Sequence, residues 1–184
     1  MTTLPSAPGL APAYGPVSRL NHWITAVVML AMLGLGFTLA FVELGEARRP
    51  VMNLHKAVGT LFLALALWRV LWRLACGFPP EPEGLPRWQS LAARATHWLL
   101  LAGILLMPLS GLLMSLFGGR PVDLFGLATI PALAESEAIA GAMNVVHGLA
   151  AYGVAALVVL HVAAALKHHL IDRDGVLARM APGA

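Results

Sequence analysis

The chain has 184 residues, of which 59% are hydrophobic and only 11% are charged. Soluble domains usually carry about a quarter charged residues, so this composition excludes an ordinary soluble protein. The net charge of +3 concerns membrane topology rather than nucleic acid, and no nucleic-acid partner is expected. A single cysteine, Cys76, excludes a disulfide framework, a CxxC redox pair and covalent haem attachment through CxxCH.

The start of the chain differs from the rest. Residues 1–16 are rich in Pro, Ala and Gly and lack the basic start and compact apolar stretch of a signal peptide. They predict a disordered tail, followed by one membrane domain over residues 17–184.

Four apolar stretches follow, at residues 23–42, 52–76, 98–119 and 138–166. Each is about as long as, or longer than, the roughly 20 residues that cross a hydrocarbon core of about 30 Å. A soluble bundle would need charged outer faces, which these stretches lack. The sequence therefore predicts an all-α fold, an integral membrane bundle of four transmembrane helices surrounded by lipid.

The basic residues are distributed unevenly between the two sides of these spans. Eight lie on the side of the two termini and four on the other side. The positive-inside rule then places both termini in the cytoplasm, and all five tryptophans lie on that same side, as an interfacial belt would. The eight are Arg19, Arg69, Arg73, Arg87, Arg94, Lys167, Arg173 and Arg179, and the four are Arg48, Arg49, Lys56 and Arg120.

Two histidines of the fourth stretch are spaced for one helix face. His147 and His161 are fourteen positions apart, which corresponds to a rise of about 21 Å and a return to nearly the same face. Histidine inside a membrane span is costly and indicates a functional site by default. A helix that supplies one axial ligand to each of two stacked haems would show this pattern.

The other histidines lie on the same two levels. His55 opens the second helix on the periplasmic side and is the partner available there for His147. On the cytoplasmic side His22 opens the first helix and His97 the third, so the partner of His161 stays open, with His22 preferred. Zinc is disfavoured because it needs three or four ligands that converge on one point, whereas these histidines are spread over two levels.

Further side chains are placed near the ends of the two sites. His168 shares the face of His161 and could contact a quinone or a haem propionate, although a solvated interface is the alternative for it and for His169. The propionates of a haem require cations at the membrane surface. Arg19, Lys56, Arg48 and Arg49 are placed for that role.

Several motifs resemble the bacterial cytochrome b561 family over nearly the whole chain after the tail. The first helix opens with SRLNHW at residues 18–23, and the second with NLHKAVG at 53–59. His97 followed by Pro108 and Gly111 resembles the third helix. The fourth helix is the most specific, with His147, LHVAAALKHH at 160–169 and the closing LARMAP at 177–182. Within the family, this pattern is most similar to the di-haem superoxide:ubiquinone oxidoreductases.

The resemblance implies a four-helix bundle in the bacterial inner membrane that holds two b haems without covalent attachment. It supports His22 with His161, and His55 with His147, as the axial pairs. It implies that superoxide reduces the protein near the periplasmic haem and that ubiquinone is reduced near the cytoplasmic side, with His168 as the candidate contact.

Two other functions compete with this one. Related b-type cytochromes serve as subunits that link a partner dehydrogenase or hydrogenase to the quinone pool, and such a redox partner protein could dock on this chain. A membrane scaffold or transporter without redox chemistry is the third alternative, but it leaves the two levels of histidines unexplained.

Overall fold

Four long helices follow one another along the chain, and each is long and apolar enough to cross a membrane. In the computed structural model, residues 14–80 and 85–181 are described. This architecture confirms the predicted all-α membrane fold. The helices are α1 (Pro16–Phe41), α2 (Arg48–Cys76), α3 (Arg87–Phe117) and α4 (Glu137–Lys167).

The helices extend beyond the apolar stretches that predicted them. Helix α3 begins at Arg87 rather than at residue 98, and α1 begins at Pro16, where the fixed φ of proline suits the first turn of a helix. The first turns of these helices contain polar residues, so the apolar stretches do not include them. Their backbone hydrogen bonds nevertheless continue the helix. Most of the predicted tail, residues 1–13, lies outside the described residues.

The connections contain structure that hydrophobic patterning did not predict. A 3₁₀ turn (Gly45–Ala47) joins α1 to α2, and two short antiparallel strands, β1 (Val122–Asp123) and β2 (Thr129–Ile130), form a hairpin between α3 and α4. Below, the hairpin end of the bundle is the end with this hairpin, where α2 and α4 begin. The terminal end is the opposite one, where α1 begins.

The chain after α4 folds back onto the start of α1. It passes through a π-helical turn (His168–Asp172) and a 3₁₀ turn (Ala178–Met180). The guanidinium of Arg19 donates to the carbonyl of Ala181 at 2.9 Å, and the indole of Trp23 donates to that of Met180 at 2.8 Å. These contacts hold the C-terminal segment against the first helix at the terminal end.

The apolar core lies midway between the two histidine levels. On α4 its member is Val154, seven residues from both His147 and His161. Close backbone packing joins α1 to α2, α2 to α3 and α3 to α4; within the described residues α4 makes no comparable backbone packing with α1 or α2. At the hairpin end this arrangement leaves a cavity between α4 and the helices α1 and α2. The buried core residues are Met29, Leu33, Phe62, Ala66, Leu101, Ile104 and Val154.

The closest approach of α3 and α4 depends on a glycine. A Cβ at Gly103 would lie 2.6 Å from Cγ2 of Val154, and the β-branched valine has little rotamer freedom in a helix. We therefore expect Gly103→Ala to push the helices apart and to destabilise the protein by about 1–3 kcal/mol. Thermal unfolding in detergent measures this as a lower Tm.

Two controls separate overpacking from helix propensity. Gly34→Ala in α1 has no neighbour within 4 Å of the added Cβ, so the higher helix propensity of alanine should leave the Tm equal or raise it. Gly103→Ala combined with Val154→Ala should recover part of the loss. An unchanged Tm for Gly103→Ala alone would contradict the close approach.

Candidate functional site

At the hairpin end, two histidines face each other across a gap. The ring centres of His55 on α2 and His147 on α4 are 6.2 Å apart, and the ring planes are inclined at 84°. A metal ion bound by two imidazole nitrogens at about 2 Å each, with each ring centre about 1.2 Å behind its nitrogen, would separate the ring centres by about 6.4 Å. The observed separation therefore fits a metal ion held between the two rings.

The gap belongs to a cavity of about 560 Å³ that both histidines line. This volume lies in the range of small-molecule and cofactor sites, about 300–1,000 Å³. Two cations, Lys56 and Arg120, line the cavity, and its described lining contains no carboxylate. An apolar group with anionic ends would suit this lining. Its five methionines are Met29, Met32, Met52, Met107 and Met114.

Helix α3 fixes the ring of His147 from behind. Nδ1 of His147 lies 2.9 Å from the carbonyl oxygen of Met107 and 3.2 Å from Oγ of Ser110. Because a carbonyl only accepts, Nδ1 carries the proton and donates, which leaves the lone pair of Nε2 for a metal. A Cβ at Gly111 would lie 3.0 Å from Cε1 of the same ring. A carbonyl, a hydroxyl and a missing side chain together position this histidine.

The opposite ring of the pair has one unsatisfied atom. Nδ1 of His55 is buried and has no hydrogen-bond partner. Burial of a polar atom without a partner costs about 1–3 kcal/mol, so native structures rarely contain one without a reason. The ring of His55 therefore lacks the fixed hydrogen-bond partner that the carbonyl of Met107 provides for His147.

At the terminal end, three histidines from three helices converge. The ring centre of His161 on α4 lies 6.2 Å from that of His22 on α1 and 5.7 Å from that of His97 on α3. The structure thus brings both predicted partners of His161 to the same place. The separation from His22 equals that of the pair at the hairpin end.

The ring of His22 has the opposite hydrogen-bond arrangement to that of His147. Nη2 of Arg69 lies 3.0 Å from Nδ1 of His22, and a guanidinium can only donate. Nδ1 of His22 is therefore the acceptor, and in the neutral ring the proton is on Nε2. His22 can offer Nε2 to a metal only when this proton leaves or when the contact with Arg69 opens.

The terminal end also carries an excess of donors and positive charge. Arg73 is 5% exposed, and its guanidinium lies 5.0 Å from the ring centres of Tyr14 and Phe78. Among the described residues, no carboxylate forms an ion pair with Arg69 or Arg73, and Nδ2 of Asn21 is buried without a partner. An anionic group with several acceptor oxygens, such as a haem propionate, would satisfy these groups.

Sequence reasoning predicted part of this surrounding and missed another part. Arg19 was predicted as a propionate partner, and its guanidinium donates to a backbone carbonyl near the C-terminus. In the sequence analysis Arg69 and Arg73 indicate only the side of the membrane, although an arginine inside a membrane span itself suggests a functional site. The carbonyl of Met107 leaves no trace in a sequence, whereas Ser110 is visible as a hydroxyl in an apolar stretch.

His168 lies at the exit of α4 among acidic side chains. Its Nδ1 donates to Oδ2 of Asp174 at 2.5 Å and lies 3.3 Å from Oδ2 of Asp172, which also pairs with Lys167. His168, Asp172 and Asp174 form a group of potential metal ligands whose ligand atoms all lie within 4.8 Å of one another. Because Nδ1 of His168 donates to this carboxylate, Nε2 is the ring nitrogen left for a further contact.

The family model described as prokaryotic cytochrome b561 matches residues 13–183. "Cytochrome b561 homolog 2" of Escherichia coli (strain K12) is 37% identical over 174 residues, which are 91% of this chain and 90% of the relative. "Cytochrome b561 homolog 1" of the same organism is 27% identical over 168 residues, 88% of this chain and 92% of the relative. "Probable superoxide oxidase CybB" of Yersinia pestis is 29% identical over 163 residues, 88% of this chain and 91% of the relative.

The matched region includes all four helices and every histidine described above. Members of this family are b-type cytochromes of bacterial membranes, and the cavity, the facing imidazoles and the unpaired cations fit a b-type haem. The chain belongs to the prokaryotic cytochrome b561 family and is a multi-pass bacterial membrane protein of electron transfer that binds b-type haem.

Proposed function

We propose that the chain is a di-haem superoxide:ubiquinone oxidoreductase of the bacterial inner membrane. His55 with His147 and His22 with His161 are the axial pairs of the two haems, one at each end of the bundle. The equal ring separation of 6.2 Å in both pairs carries this proposal. The name of the relative from Yersinia pestis supports the substrate, and the positive-inside rule assigns the hairpin end to the periplasm.

The protein residues position the reactants and the charges. Each haem, when bound, accepts and passes on single electrons. At the hairpin end, Lys56 and Arg120 provide positive charge without a neighbouring carboxylate in the cavity lining, which favours the encounter with an anion. Two superoxide anions, one ubiquinone and two protons give two dioxygen molecules and one ubiquinol.

At the terminal end, His168 would supply protons to the quinone. The carboxylate of Asp174 accepts from Nδ1 of His168 and thereby orients the ring. Nε2 of His168 can then donate a proton to a reduced quinone oxygen and recover it from the cytoplasm. In the same region, opening of the Arg69 contact would free His22 for its haem and leave Arg69 as a cation for a propionate.

The purified protein should be red and contain two haems per chain. His147→Ala should remove the haem at the hairpin end and His161→Ala the haem at the terminal end, so each variant should retain one haem with a different reduction potential. A haem-to-protein ratio from the pyridine haemochrome, together with a redox titration, checks this. A ratio of one for the unaltered protein would refute the proposed pairs.

The same measurement decides between the two partners of His161. We expect His22→Ala to retain one haem and His97→Ala to retain both, because His22 repeats the ring separation of the other pair. His97 is the matched control, since it lies on the same level as His22 at 5.7 Å from His161. The opposite result would assign the ligand to His97.

A backbone position behind His147 provides a more local test. The Cβ of Gly111→Ala would lie 3.0 Å from Cε1 and 3.2 Å from Nδ1 of His147, so the ring must move away from its carbonyl and hydroxyl partners. We expect about a tenfold to hundredfold loss of haem affinity at the hairpin end, which is typical when the groups that hydrogen-bond a metal-binding histidine are disturbed. Gly148→Ala has no neighbour within 4 Å and should bind haem like the unaltered protein. Equal haem affinities for both variants would contradict the role of α3 in positioning the ring of His147.

Superoxide and ubiquinone distinguish an enzyme from a subunit. When superoxide is added to the oxidised protein in detergent, the haem absorbance should show reduction, and ubiquinone should reverse it. Superoxide dismutase should abolish the signal. Haems that superoxide does not reduce, but that a dehydrogenase or hydrogenase does reduce, would favour the subunit function instead.

One pair of variants tests where superoxide arrives. Arg120→Gln removes a charge from the cavity lining, whereas Arg87→Gln removes the same charge at the start of α3 on the opposite end. At low ionic strength, Arg120→Gln should lower the rate of haem reduction several-fold, and salt should diminish the difference. An equal effect of both substitutions would contradict entry at the hairpin end.

A further inference from the structure

The β-hairpin between α3 and α4 is tied down onto the helices. Its first strand contains Val122, which is 1% exposed. Nζ of Lys56 donates to the carbonyl of Pro121 at 2.8 Å, and the backbone N–H of Leu133 donates to the carbonyl of Leu116 at 3.1 Å. The base of the hairpin therefore lies at the level of the helix ends and does not project away from the bundle.

The tip of the hairpin, residues 124–128, presents apolar side chains outward. Leu127 is 90% exposed and Phe125 is 55% exposed. Residues 124–134 contain no charged side chain, and Thr129 is their one polar residue. In contact with water, a turn of this kind would usually carry polar or charged residues. The composition of the tip favours an apolar environment.

Three backbone N–H groups of the turn are hydrogen-bonded within the turn. The N–H of Leu124 donates to the carbonyl of Ala128 at 2.8 Å, and the N–H of Leu127 donates to that of Leu124 at 3.1 Å. The carboxylate of Asp123 accepts from the N–H of Gly126 at 3.0 Å. Internal satisfaction of backbone donors is the condition for placing a peptide segment in lipid. The tip meets it for these three donors.

The backbone at the tip adopts a conformation that a large side chain rarely takes. Phe125 has φ of 57°, in the left-handed region that is unfavourable for residues other than glycine, asparagine and aspartate. This conformation allows the tight turn in which both Phe125 and Leu127 are exposed. At this turn both side chains are therefore accessible for a contact outside the protein.

We propose that the hairpin tip is an interfacial anchor that inserts Phe125 and Leu127 into the boundary between headgroups and acyl chains of the adjacent leaflet. Exposed apolar side chains also lie on the spans at the same end of the bundle, with Ile139 and Val145 on α4 and Phe41 at the end of α1. A lipid surface needs no charge complementarity, and residues 124–134 offer none. The base of the hairpin, Gly119 to Val122, lines the cavity, whereas Phe125 and Leu127 at the tip do not.

A single fluorescent label measures the environment of the tip. Cys76→Ser gives a background without cysteine, because Cys76 is the one cysteine of the chain. Leu127→Cys in this background is labelled with an environment-sensitive fluorophore and reconstituted into phosphatidylcholine and phosphatidylglycerol vesicles. We expect blue-shifted emission, quenching by lipids with a nitroxide near the headgroup and protection from aqueous iodide.

Two matched positions provide the scale. Glu46→Cys, in the exposed loop at the same end, should report water, and Leu149→Cys, 69% exposed on α4, should report lipid. A label at position 127 that behaves like that at position 46 overturns the anchor and leaves the tip free for a soluble partner. A label shielded from both quenchers, together with disulfide formation between unlabelled Leu127→Cys chains on addition of an oxidant, overturns it in favour of a second copy.

A second variant tests the two side chains themselves. With the label at Ala128→Cys, substitution of both Phe125 and Leu127 by serine should move the emission from the lipid value to the water value. The haem content should stay unchanged, since neither side chain lines the cavity. If the label stays in lipid, these side chains are not the anchor. The outcome does not depend on the proposed electron transfer.

Discussion

The structure depends on the way α4 is held away from α1 and α2 while it packs along α3. In each proposed pair the ring centres of the two imidazoles lie 6.2 Å apart, and at the hairpin end both rings line a cavity of about 560 Å³. A polar group in a membrane span is unfavourable without a partner, and Nδ1 of His55 is buried there without one. The apolar core around Val154 separates the two pairs, so each proposed haem would lie on its own side of the core.

The hydrogen bonds behind the rings distinguish the two ends. At the hairpin end a carbonyl of α3 fixes the proton on Nδ1 of His147 and prepares Nε2 for a metal. At the terminal end Arg69 donates to Nδ1 of His22, so the proton of the neutral ring is on Nε2. This ring could bind a metal through Nε2 only after the contact with Arg69 opens or the proton leaves. One site is thus preorganised by backbone, and the other is coupled to a cation. The groups that hydrogen-bond an axial histidine help to set the reduction potential of its haem. The two proposed haems should therefore differ in potential.

Sequence periodicity predicted the helices and the two histidine levels because both depend on local spacing. The rise of about 21 Å between residues fourteen apart follows from helix geometry alone. The surroundings of the His147 ring could not be predicted from spacing, because the carbonyl of Met107 and the absent side chain of Gly111 both belong to another helix. The pairing of His161 stayed open for the same reason: spacing gives the level of His22 and His97, whereas ring distance requires the packing of three helices.

The hairpin shows a further limit of hydrophobic patterning. Residues 124–134 are apolar, yet they are too few to span a bilayer, so a search for spans assigns them to a loop. The structure adds that Val122 is buried and Leu127 is 90% exposed on the same short hairpin. Alternation of buried and outward apolar residues next to a membrane indicates one face for the protein and one for the lipid. The same hairpin then links the lipid surface to the cavity of His55 and His147, because its base lines that cavity.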